Sequence, residues 1–166
     1  MTALLGIFLR IGFLVGKPQE LPASTTLPIL TGILAFLTNY AVDTGFSRPL
    51  HRLDFALAQT ALLALWIGAA ISLRRVWLRY GQTLSAVYGG NILINLVTWP
   101  LSFEPGIGAF GAKVLGIGLA LWLLAIVTRI LAQALDVPIF LSALISLTGL
   151  QVSGWILISL FPLPKS

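Results

Sequence analysis

Charged side chains are absent from residues 55–73, FALAQTALLALWIGAAISL, and then crowd together at Arg74, Arg75 and Arg79. At about 1.5 Å per residue such a run makes roughly 28 Å of helix, close to the thickness of a bilayer's hydrocarbon core. Four other apolar runs stand at residues 26–42, 83–101, 111–131 and 138–161, and only 111–131 carries charges, Lys113 and Arg129, near its two ends. Turn formers separate them: Asp43-Thr44-Gly45, the short GFSRPLHRLD loop, Phe103-Glu104-Pro105-Gly106 and Asp136-Val137-Pro138. Pro28 falls in the opening turn of its run, where a missing N–H costs little, and Asp54 stands where an N-cap belongs. The fold expected is all-α, a polytopic membrane bundle of five transmembrane helices.

The amino-terminal run, residues 3–15, is about 20 Å long as a helix and carries Arg10, which suits an interfacial amphipathic helix better than a span. Arg10 and Lys17 would snorkel to phosphates while the leucines, isoleucines and phenylalanines lie among acyl chains. Pro18 and Pro22 then impose a polar elbow. The stretch has no basic region ahead of its apolar core and no small-residue cleavage site, so it reads as part of the mature chain. The organisation expected is helix and elbow over 1–25, bundle over 26–161 and tail over 162–166.

Composition agrees: 58% of residues are hydrophobic, 9% are charged, and the mean hydropathy is +1.00. A formal charge of +5 would suit nucleic acid only if the cations shared a soluble face. Here they lie between apolar runs, so Arg10, Lys17, Arg74, Arg75 and Arg79 read as topology signals and contacts for anionic lipid headgroups, with no nucleic-acid partner. An interior amino terminus puts these five and Arg129 inside, against Arg48, Arg52, Lys113 and Lys165 outside. The expected orientation is amino terminus cytoplasmic, carboxyl terminus outside. Trp99 and Trp155 are expected at membrane interfaces and Trp77 beside the arginines.

Intramembrane polar residues are the next candidates: Asn39, Gln59, Asn91, Asn95 and Gln151. Asn91 and Asn95, four apart, share a helical face and can hydrogen-bond to a neighbouring helix; the alternative is a polar groove for a small solute or lipid headgroup. Asp43, Asp54, Glu104 and Asp136 all fall at helix ends, which leaves little for a proton relay. Gly106-Ile107-Gly108-Ala109-Phe110-Gly111 matches the dinucleotide fingerprint in letters but lacks its strand and its acid about twenty residues on. Those glycines, with Gly116, Gly118, Gly89 and Gly90, read instead as places of close helix approach. His51 is a single loop histidine, there is no cysteine, and no serine sits in a nucleophile-elbow context. No catalytic residue, cofactor or metal is expected.

An interfacial first helix, five spans and this orientation resemble the Yip1-type membrane proteins. Residues 17–22 (KPQELP) ahead of a span, and the link from Arg74 to Gln82-Thr83 leading into the third, are similar to a small group of bacterial Yip1-like inner-membrane proteins. The long cytosolic amino-terminal region of eukaryotic members and the D-L-Y-G-P motif are missing, so GTPase binding is not carried over. The resemblance implies a bacterial inner membrane and an accessory role without catalysis. The function expected is therefore a small scaffold acting through lipids, another membrane protein or self-association; a small-solute or lipid transporter is the alternative.

Overall fold

The computed structural model describes residues 2–45, 52–101, 103 and 109–161. Arg48, His51, Glu104, Gly106, Gly108, Lys165 and the tail lie outside the described residues. Among the described residues the chain forms six helices: α1 (Thr2–Gly12), α2 (Thr26–Gly45), α3 (Arg52–Arg74), α4 (Tyr80–Leu101), α5 (Ala109–Leu135) and α6 (Ile139–Leu160). Single 3-10 turns at Pro18–Glu20 and Trp77–Arg79 lead into α2 and α4. Among the described residues, four helices are long and apolar enough to cross a membrane, over Thr26–Asp43, Arg52–Arg74, Lys113–Leu135 and Ile139–Leu160. The chain is an integral membrane protein with an all-helical fold.

The helix between these spans, α4, differs in kind. Every residue from Thr83 to Asn91 is buried, more than two turns with no outward face. It packs against α1, α2, α3 and α5, while α6 is held on α5 and α3. α4 carries Gln82, Asn91, Asn95 and Pro100 and is not among the four helices apolar enough to cross a membrane. A helix enclosed by protein has no need of a lipid-like surface, whereas a lipid-facing one does. Accordingly the outer helices turn large apolar side chains outward, among them Ile29 and Ile33 of α2, Leu57 and Leu65 of α3, and Ile158 of α6.

Glycine sets the spacing around the hub. A β-carbon at Gly89 would strike Phe8 of α1, and one at Gly90 would come within 2.7 Å of Ile126 on α5. This is the close approach expected of that pair. Gly116 and Gly118 behave differently: a β-carbon at either meets nothing within 4 Å among the described residues, and residues 113–118 of α5 are all exposed.

α1 runs beside α4 in the same direction, with Phe8 against Gly89 and Gly12 against Leu93. Its carboxyl end reaches the middle of the bundle, where Trp122 Nε1 donates to the Gly12 carbonyl at 3.0 Å. The chain then turns back to the elbow through Leu14, whose φ of 63° closes the helix with Val15 N–H donating to Arg10 O and Leu14 N–H to Ile11 O. The same left-handed cap ends α3 at Arg75 (φ 56°) and α5 at Asp136 (φ 54°). In all three a non-glycine residue occupies the position that glycine usually fills. The helix that contains Asp54 begins at Arg52, so Asp54 is a first-turn residue rather than the expected cap, favourable there through the helix dipole.

Candidate functional site

Three of the five predicted intramembrane polar residues come together. Asn95 of α4 lies with Nδ2 at 2.6 Å from Asn39 Oδ1 of α2, 3.2 Å from Asn91 Oδ1 one turn back, and 3.2 Å from Thr38 Oγ1. One amide NH2 has two hydrogens for these three acceptors, so the donors are shared. Asn39 Nδ2 passes the chain to Thr60 Oγ1 of α3 at 3.1 Å, and Thr60 Oγ1 donates to Ala56 O. Tyr88 adds a fourth tie, its hydroxyl donating to Thr60 O at 3.0 Å. Asn39, Thr60, Asn91 and Asn95 are all buried.

This cluster joins three helices in a medium that offers no water to replace a lost partner. It contains no carboxylate, histidine or amine, so it has no group that exchanges a proton near neutral pH. Its donors run from helix to helix and end on a backbone carbonyl. The other two predicted residues lie elsewhere: Gln59 is half-buried on α3, and Gln151 is exposed on α6.

Above the cluster, towards the start of α4, a lateral groove of about 520 Å³ opens between α2 and α3. Ile29, Ile33 and Leu57 form its exposed walls, and Leu84 and Tyr88 its buried floor. Gly32 makes room for the Tyr88 ring, which passes 3.2 Å from where a β-carbon would be. Tyr80, two turns before Tyr88, spans the same gap and donates to Ala64 O at 3.3 Å.

Beyond the groove, Lys17, Arg74, Arg75 and Arg79 gather at one end of the bundle, while Arg10 stands nearer the middle on α1 and reaches its guanidinium to Glu20 of the elbow. Arg74 Nη2 donates to Asp136 O at 3.2 Å and Arg79 Nη1 to Ala134 O at 3.1 Å, so both cations cap the carboxyl end of α5, where the helix dipole is negative. The elbow is tied to the same end: Gln82 Nε2 donates to Leu21 O at 2.7 Å and Gln19 Nε2 to Gln133 O at 2.9 Å. Arg10 pairs with Glu20 at 3.4 Å, an exposed contact worth about 0–1 kcal/mol. Arg75 and Lys17 are exposed. Trp77 lies among them, edge-on to Tyr80 with ring centroids 6.2 Å apart. Lys113 and Arg52 belong to the opposite end, where Phe55 meets Phe161.

The chain matches no family model, no curated protein and no solved structure. Function then rests on these residues. Among the described residues no group of three or more His, Cys, Asp or Glu side chains could hold a metal ion. The participants that sequence reasoning missed are Thr38, Thr60, Tyr80 and Tyr88. Tyr88 had a signal, since 88, 91 and 95 form one stripe at helical spacing; the threonines had none, because a hydroxyl in a helix can equally bond its own backbone four residues back.

Proposed function

We propose that this chain is a non-enzymatic scaffold or accessory factor of a membrane, acting through lipids or another membrane protein. The observation that carries the reading is the direction of the buried amides: Asn39, Asn91 and Asn95 bond to one another and to Thr60 between helices, rather than lining a polar cavity. A transporter needs polar groups that change partners as solute passes, and these already have theirs.

In this reading α4 is a fifth span. Its 22 residues give about 33 Å of helix, and its polar groups find partners inside the protein. The basic end, with Arg10, Lys17, Arg74, Arg75 and Arg79, faces the cytoplasm and the carboxyl terminus faces outward, as the excess of cations favours. The resemblance to Yip1-like proteins supports a bacterial inner membrane. Residues 113–118 of α5, exposed on all sides, offer apolar surface to a second membrane protein or another copy.

The test is a flux measurement on vesicles carrying the purified protein, with a panel of entrapped ions and small polar dyes. A scaffold leaves the leak at the level of protein-free vesicles. Flux that rises with protein content and is lost in Asn95→Leu would overturn the scaffold in favour of a transporter.

A further inference from the structure

The α2–α3 groove has a shape and surroundings that select a ligand class. Its walls and floor are apolar apart from the hydroxyls of Thr60, Tyr80 and Tyr88, and these are already committed, Thr60 to Asn39 and the Ala56 carbonyl, the tyrosines to the carbonyls of Ala64 and Thr60. Little remains to recognise a water-soluble molecule. From Pro28 to Phe36 the groove follows α2 for about 12 Å, most of the roughly 15 Å depth of one leaflet. It opens sideways between Ile33 and Leu57, both more than half exposed, so a chain can enter from the bilayer without crossing the bundle.

The polar end of the groove is equally specific. Tyr80 closes it, and Arg74, Arg75 and Arg79 lie within six residues of that tyrosine. Arg74 and Arg79 hold carbonyls of the α5 end, which leaves Arg75 as the guanidinium turned outward. Trp77, exposed and edge-on to Tyr80, sits at the level where indoles meet lipid headgroups.

We propose that this groove seats one acyl chain of an anionic phospholipid drawn from the surrounding bilayer, with the lipid phosphate held at Arg75. The site deepens the lipid contact named above and rests on the same membrane-embedded reading. Charge complementarity argues for an anionic head over a zwitterionic one: a cation near the surface favours an anionic lipid about fivefold.

The test uses the full chain in mild detergent, stripped of lipid and mixed with equal amounts of phosphatidylglycerol and phosphatidylcholine, the bound lipid being read by native mass spectrometry. Wild type should retain phosphatidylglycerol about fivefold over phosphatidylcholine. Arg75→Gln should erase that preference, and Ile33→Trp, which fills the groove from its exposed wall, should lower retention of both lipids. Leu65→Trp, an equally outward position on α3 away from the groove, should bind as wild type does; helical circular dichroism confirms that each variant is folded. Wild-type retention by Ile33→Trp, or an unchanged preference in Arg75→Gln, would overturn the site. Lipid retention is independent of solute flux, so the groove and the scaffold reading can fail separately.

Discussion

The indole of Trp66 on α3 occupies the space directly over Gly149 on α6. A β-carbon at Gly149 would collide with the ring, and Trp66 Nε1 is buried there with no hydrogen-bond partner among the described residues. Gly149→Ala should therefore destabilise the α3–α6 contact by about 1–3 kcal/mol, the usual cost of overpacking. Chemical denaturation in detergent measures it. In a Trp66→Phe background, which removes the larger ring and its unpaired N–H, most of that loss should disappear; equal losses in both backgrounds would show that the two residues are not coupled.

Asn95 should be the most costly residue of the amide cluster to lose. Asn95→Leu removes the donor shared by Asn39, Asn91 and Thr38 and leaves buried acceptors without it. The expected loss is about 1–3 kcal/mol in the same denaturation measurement. Gln151→Leu on the exposed face of α6 serves as the comparison and should change stability by less than about 0.5 kcal/mol.

Asp136 offers a gain. Its φ of 54° is a conformation that an L-residue adopts at a cost of about 1–2 kcal/mol, and its side chain is exposed. Asp136→Gly should raise the unfolding midpoint, while Asp136→Val, β-branched at the same φ, should lower it. The bond from Arg74 goes to the Asp136 backbone carbonyl and survives both changes.

Arg74 and Arg79 link two helix ends, so their loss should loosen the basic end as well as its lipid contacts. Replacing Arg74, Arg75 and Arg79 together with Gln should weaken retention of anionic lipid by the detergent-solubilised protein, by about 1 kcal/mol for each cation that faces the headgroups. The measurement is the bound anionic lipid at low and moderate salt. Salt should narrow the difference between wild type and variant, since screening removes the same attraction.

Much of this architecture was legible because hydrocarbon imposes coarse rules. A run of uncharged residues must be helical to satisfy its own backbone, and 55–73 and 138–161 announce helices on that ground alone. The Asn91–Asn95 spacing likewise pointed to a shared face. The helix stops were harder to see, since Leu14, Arg75 and Asp136 adopt a glycine-like conformation without being glycine. The seating of α1 along α4 was also hidden: Phe8 over Gly89 is a match between residues 81 positions apart, and neither alone announces the other. The groove is hidden for the same reason, being the space left by three helices.

The most direct measurement concerns α4, the helix on which the proposed five-span arrangement turns. The chain has no cysteine, so single cysteines at Leu78 and Phe103, exposed positions flanking α4, can be labelled without background. With a membrane-impermeant maleimide on intact cells, Phe103→Cys should react, and Leu78→Cys should react only after the membrane is opened. Reaction of both positions from the same face would mean that α4 does not cross the bilayer, and the arrangement would be wrong.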